Sequence, residues 1–459
     1  MRQLLSCVLM TLAVACGTEV GTADHRSEAS GVSPAPASTT EDPDDEASAP
    51  QASPAPATAP PVSPFQEVFD QGLGRYVGTR QVTATSVTSS FAFRDIKVHH
   101  FSPDDRGPAC MRGDEFYVET REGPSDTLMI FLEGGGVCFS EVCAATAQPL
   151  LSLRLFTVSS VIGIGGLVDP RSDTNPARDF DVVNAPYCDG SLFLGDVDRN
   201  LSDGNNKNGK EDKAYQRGLV NITATFETAK RTFPNPSRVI LVGSSGGAYG
   251  VVFGTILARF YYPNQPLLVV SDSGAPVVNS VDQQFMRRAL TEFKADHLIP
   301  KSCPDCLARG HATGLLDWAM KRDPSITLAY MTHARDYVIG QFFMGTTGDE
   351  FQAAVVDESN FLRAAHPGRF FRFIIPGERH TLAMNVDTVP EFLQQTAVTL
   401  FGPFVLTGDS VSARELSNWT LGGLREKGLG DDGIEWAGYQ WLQTLFSNPS
   451  LTPDVLQLK

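Results

Sequence analysis

Between residues 65 and 459 the chain alternates short, nearly unbroken apolar runs with longer stretches in which apolar positions recur at helical spacing. The runs are TLMIFLEG (127–134), FDVVNAPY (180–187), RVILVGS (238–244), LLVVSDS (267–273), SITLAYMTH (325–333) and RFFRFIIPG (369–377). Several are rich in Val, Ile and Leu and too continuous for strands with one wet face, so they predict strands buried on both faces of a parallel sheet. The segments LVNITATFETAKRTF (219–233), AYGVVFGTILARFYY (248–262) and SVDQQFMRRALTEFKA (280–295) carry the helical period between them. Strand and helix in alternation predict an α/β fold: a doubly wound, mostly parallel sheet flanked by helices. No second linker breaks the pattern, so 65–459 is expected to be one domain.

The residues before this region follow another pattern. Arg2, the apolar LLSCVLMTLAVA and small residues before Cys16 predict a signal peptide over 1–15. About a dozen apolar residues is short for a membrane span. Leu12-Ala13-Val14-Ala15-Cys16 resembles a bacterial lipobox, with Ala13 where leucine is usual, which makes Cys16 the candidate lipidation site. Residues 16–64 are rich in Pro, Ala, Ser and Thr around an acidic EDPDDE, too poor in apolar groups to fold, and predict a disordered tether. The mature protein is therefore expected outside the cytoplasm, either as a bacterial envelope lipoprotein (outer surface or periplasm) or secreted. Its only membrane contact would be the lipid anchor.

Composition narrows the classes. Hydrophobic content of 42% and charged content of 20% suit a globular protein with a sizeable core. A formal net charge of -16 argues against nucleic acid as a partner, because phosphate backbones need a basic surface. A soluble monomer is expected. Six cysteines lie in the folded region, and locality favours Cys138–Cys143 and Cys303–Cys306, leaving Cys110–Cys188. Cys303-Pro304-Asp305-Cys306 has redox spacing, but without a thioredoxin-like setting a structural staple is expected. No second pair at zinc-ligand spacing lies near it.

Candidate chemistry centres on Gly243-Ser244-Ser245-Gly246-Gly247. A predicted strand runs into this GxSxG, an apolar helix leaves it, and glycines allow the sharp turn that lifts a serine hydroxyl to the end of a sheet. Serine needs a base within hydrogen-bond reach. In the order Ser, acid, His, the base should follow the last core strand, which selects His380 over His297, His311, His333 and His366. The acid should follow the strand before, which selects Asp336, with Asp349 and Asp357 as competitors. Asp272, at the end of LLVVSD, reads as a site-wall or structural residue. Backbone N–H groups of Gly135, Gly136 and Gly246 are candidate oxyanion donors, since GGG follows a buried strand.

FLEGGGVC (131–138), GLVDPRSDTNPARDFDVVNAPYCDGSLFLGD (166–196), VILVGSSGGAYG (239–250) and VSDSGAPV (270–277) together resemble the pectin acetylesterase family, which includes the Notum-type carboxylesterases. The resemblance implies an α/β-hydrolase fold with Ser245 as nucleophile, Asp336 and His380 completing a triad, and no metal or other cofactor. It also supports Cys138–Cys143 and Cys110–Cys188. Val137 stands where plant members carry tryptophan, and SSGG stands where SAGG is usual. LSDGNNKNGKED (201–212) interrupts the region after YCDG and fails the EF-hand spacing, so it reads as a polar surface loop. The expected activity is removal of O-acetyl groups from an acylated carbohydrate. Alternatives are hydrolysis of short-chain lipid or protein-bound acyl esters, and a catalytically inactive polysaccharide-binding protein.

Overall fold

A computed structural model describes residues 63–90, 95–139, 166–201, 212–274, 276–279, 281–383 and 432–458, all within the unit Pro61–Lys459. The signal peptide, Cys16, the tether up to residue 62, Cys143 and residues 202–211 lie outside the described residues.

The strands are β1 (Ser86–Ser89), β2 (Ile96–Phe101), β3 (Phe116–Arg121), β4 (Thr127–Leu132), β5 (Asp181–Ala185), β6 (Val197–Leu201), β7 (Asp212–Gln216), β8 (Arg238–Ser244), β9 (Leu267–Asp272), β10 (Ile326–His333), β11 (Phe370–Ile375) and β12 (Val455–Leu456). All but two form one sheet in the order β1-β2-β3-β5-β4-β8-β9-β10-β11-β12, and β6 and β7 pair separately. From β5 to β12 neighbouring strands are parallel. The three-strand edge β1, β2, β3 joins β5 antiparallel.

Each of the six apolar runs contributes one parallel strand, and the reason is two-sided burial. Every residue of β4 is buried, with Leu128, Ile130 and Leu132 in one core and Met129 and Phe131 in the other. Helices Gly218–Thr232 and Gly246–Tyr261 cover the first face through residues such as Ile222 and Val251. Helix Asp432–Ser447 covers the second with Trp441, Leu442 and Leu445. The result is an α/β-hydrolase-like sheet sandwiched between helices. No helix among the described residues is long and apolar enough to cross a membrane.

One helix is shorter than its pattern predicts. Helical structure expected over 280–295 is confined to Phe285–Glu292. Asp282 turns the chain instead: its carboxylate accepts the Gln284 N–H at 3.1 Å and pairs with Arg288. Aspartate readily makes such a local turn in place of a helical start.

The order of strands places the site. β4 pairs with β5 on one side and β8 on the other, so connections diverge between β4 and β8. In open α/β sheets the crevice at the carboxyl ends of such diverging strands is where ligands bind.

Candidate active site

Ser245 lies one residue past β8 and one before the helix Gly246–Tyr261. Its backbone is held at φ 53° and ψ −118°, a conformation costly for a side-chain-bearing residue. The strain is sustained by packing on all sides. The Ser245 N–H donates to the Asp272 carbonyl at 2.9 Å, and Gly274 abuts the Ser245 carbonyl. Only 7% of the residue remains exposed.

His380 and Asp336 reach this hydroxyl because their loops continue the sheet. β10 and β11 pair up to His333 and Ile375. Beyond the strands, the N–H groups of Ala334, Arg335 and Tyr337 donate to the carbonyls of Ile375, Gly377 and Glu378. The two loops therefore leave the sheet side by side. His380 Nδ1 lies 2.8 Å from Asp336 Oδ2, and His380 Nε2 lies 2.8 Å from Ser245 Oγ. The fully buried Asp336 spends its other oxygen on the Ile339 N–H at 3.1 Å, which fixes the carboxylate plane. With Nδ1–H donating to Asp336, the neutral imidazole presents Nε2 as the acceptor for the serine proton.

The electrostatics suit a base. Burial alone would lower the His380 pKa, but the charge and hydrogen bond of Asp336, joined by the charge of Asp272, carry it above the ordinary 6.5. His333, behind the same loop, goes the other way: burial first, then the nearby Arg379 and His380, push it down to about 3. It remains neutral.

The remaining candidates separate cleanly. His311 Nδ1 accepts the Val278 N–H at 3.0 Å, and His366 Nε2 lies 2.9 Å from Asp317, so both are tied into the scaffold. His297 belongs to a short 3-10 turn, Asp296–Leu298. Asp349 pairs with Arg335, and Asp357 lies on the helix Gly348–Ala365. Asp272 is fully buried behind the serine rather than on a site wall.

The glycine loop after β4 lies against the serine. Gly136, Ser245 and Gly246 line one pocket, with Val137, Phe139, Leu192, Phe285 and Phe343 among its other walls. A side chain on Gly246 would approach the Gly136 carbonyl at 3.0 Å and Tyr187 at 3.2 Å. Gly134, which sequence reasoning left without a role, makes the tightest approach: a Cβ there would sit 2.4 Å from that of Ser245. Its signal was the first glycine of the GGG. The loop is held from outside by the Cys138 N–H, which donates to the Gly190 carbonyl at 2.7 Å, and by Gln216, which donates to the Cys138 carbonyl.

Cys110 and Cys188 are joined, tying the turn before β3 to the YCDG segment, and Cys303 is joined to Cys306. Cys138 is disulfide-bonded, and its expected partner Cys143 lies outside the described residues. In YCDG, Asp189 accepts the Ser191 hydroxyl and is pushed up to about 7 by burial.

Comparison with known proteins agrees with the sequence motifs. Residues 101–313 match the family model described as Pectinacetylesterase, which bears out the resemblance carried by FLEGGGVC, YCDG and VILVGSSGGAYG. Pectin acetylesterase 4 of Arabidopsis thaliana is 23% identical over 212 residues, which cover 43% of this chain and 50% of that protein. The chain thus spans about half the length of this curated relative. Among solved structures, the Wnt deacylase Notum from Drosophila aligns with a TM-score of 0.44 at 18% identity, covering 61% of this chain and 84% of that one.

Proposed function

From the pectinacetylesterase match of residues 101–313 and the hydrogen-bonded array of Ser245, His380 and Asp336, we propose that the protein is a serine carboxylesterase that removes O-acetyl groups from a polysaccharide. The observation that carries the reading is the two-bond chain from serine hydroxyl to imidazole to buried carboxylate, at 2.8 Å for each bond. Ser245 Oγ attacks the acyl carbon as its proton passes to His380 Nε2, and Asp336 stabilises the imidazolium. The N–H groups of Gly135, Gly136 and Gly246 receive the developing oxyanion, a contribution of about 2.7–4 kcal/mol for each donor of this kind. His380 then protonates the departing sugar oxygen as its bond to the acyl carbon breaks, and water, activated by the same imidazole, releases acetate.

One observation favours a second reading. The pocket beside Ser245 is almost wholly apolar, walled by Val137, Leu192, Val278, Met286, Ile339 and Met344. Such a wall suits an acyl chain longer than acetyl, on a lipid or a protein, because burying methylenes there stabilises binding by about 0.8 kcal/mol each. Steady-state rates on p-nitrophenyl esters from acetate to octanoate separate the two, with Ser245→Ala as control. A steep fall in kcat/KM beyond acetate, with acetate released from acetylated polysaccharides, is the expected result. A maximum at octanoate moves the assignment to the second reading. Activity in Ser245→Ala equal to the wild type removes Ser245 as the nucleophile and with it the serine-esterase assignment of this site.

The disulfides Cys110–Cys188 and Cys303–Cys306 support an oxidising, extracytoplasmic location. Lipidation at Cys16, with residues 16–64 as a tether, completes the proposal.

A further inference from the structure

Asp272 takes no part in the proton relay, yet its carboxylate accepts four hydrogen bonds beside the site. Its Oδ2 accepts the Ser244 hydroxyl at 2.8 Å and the Ala383 N–H at 3.0 Å, and its Oδ1 accepts the Leu382 N–H at 2.9 Å and the Ser273 hydroxyl at 3.0 Å. Ser273 Oγ in turn accepts the Thr381 N–H at 2.8 Å. Three consecutive N–H groups directly after His380 are therefore captured by two adjacent residues at the end of β9. Both ends of this junction are strained: Ser273 has φ 52° and Thr381 has φ 66°. On the other side, Ser244 and Asp272 are register partners in β8 and β9, and the Asp272 carbonyl holds the N–H of Ser245.

One residue thus grips the nucleophile turn with its backbone and through Ser244, and grips the base loop with its side chain. Burial pushes the Asp272 carboxyl above its ordinary 3.8 and the four converging donors pull it back, because only the ionised carboxylate accepts from all four without a competing proton. The charged groups acting on His380 are Asp336 from the loop after β10 and Asp272 from β9; His333 from β10 lies close to it, and the neighbouring Arg379 bears on His333. Asp272 is the second of the two negative charges that favour the imidazolium.

Building on the serine esterase reading, we propose that Asp272, with Ser273, is a positioning residue that sets His380 against Ser245 and whose charge supports the imidazolium formed during catalysis. It touches neither ester nor reacting atom. Its effect is on geometry and field, where a misplacement of about 1 Å can cost about 100-fold in rate.

The test measures kcat, KM and the pH profile of kcat/KM on p-nitrophenyl acetate, using the purified full chain. Asp272→Asn keeps the shape, removes the charge and turns an NH2 group toward backbone donors. The expected result is a kcat about 10-fold to 100-fold lower, KM within about twofold, and an acid limb moved to lower pH. Ser273→Ala frees the Thr381 N–H and keeps the charge, so kcat falls about 10-fold with the acid limb in place. A folded Asp272→Asn with wild-type kcat, or with lowered kcat and an unmoved acid limb, overturns the proposal. If Asp272→Asn does not fold, Ser273→Ala decides: a lowered kcat at constant KM supports the clamp and an unchanged kcat overturns it. Wild-type activity in Ser245→Ala would instead overturn the underlying reading of Ser245 as nucleophile, so the two failures are distinguishable.

Discussion

At the scale of the residue, Ser245 combines chemistry with strain. Its φ of 53° and ψ of −118° cost on the order of 1–3 kcal/mol, sustained by the packing around it. Ser245→Ala and Ser245→Gly both lose the hydroxyl, but only glycine also loses the strain. The glycine variant should be about 1 kcal/mol more stable than the alanine variant in urea unfolding, with both inactive as esterases. An alanine variant as stable as the glycine variant would mean that the turn is relaxed. Much of the site was legible at this scale. Ser245, Asp336 and His380 each lie within five residues of the end of a strand, so pattern and chain order bring them to one edge. Gly134 and Asp272 were not legible in the same way, since their roles depend on partners about a hundred residues distant, such as Ser245 and Leu382.

At the scale of the element, the site depends on how closely β8, its turn and the following helix approach β4. Gly247 sits in the first turn of that helix, where a Cβ would lie 2.0 Å from the Leu132 carbonyl and 2.6 Å from that of Glu133. Both obstacles are backbone, so neither can swing aside. Gly247→Ala should therefore lower unfolding stability by about 3 kcal/mol or prevent folding, read by thermal and urea unfolding. A loss below about 0.5 kcal/mol would show that helix and strand can part without penalty. The parallel strands were legible because both faces are buried and the runs are unbroken. The antiparallel edge was hidden for the opposite reason. All four residues of β1 are exposed, β2 is buried only at its two ends, and β3 carries Glu119 and Arg121 inward. Its charges find partners that no local pattern reveals: Arg121 donates to the carbonyls of Arg178 and Phe180, and Glu119 accepts from Asn184.

At the scale of the whole molecule, buried titratable groups set how stability varies with pH. Glu133 and Asp189 are raised by burial to about 8 and about 7, against ordinary values of 4.5 and 3.8. Glu133 shares the Asn184 side-chain amide with the buried Glu119, so two carboxyls crowd one donor group. An acid with a raised folded pKa binds more protons folded than unfolded, so its contribution is lost as pH rises toward the folded value. His380, raised above 6.5, acts with the same sign, because its stabilisation is present below the unfolded value and lost above the folded one. Buried and half-buried histidines act on the acid side. His333 is lowered to about 3, with His311 and His99 also lowered, so stability falls as pH drops below 6.5 and the unfolded chain takes up protons that the folded one refuses. The two sets overlap between about pH 4.5 and 7, and above that the raised carboxyls dominate. Between pH 7 and 8 the unfolded histidines and carboxyls have largely given up their protons while Glu133 and Asp189 are still giving up theirs. The melting temperature should therefore fall across that window, and Glu133→Gln, which no longer ionises, should flatten the fall. A melting temperature that rises from pH 7 to 8, or an unchanged slope in Glu133→Gln, would show that the acid beside the glycine loop is already ionised in the folded protein.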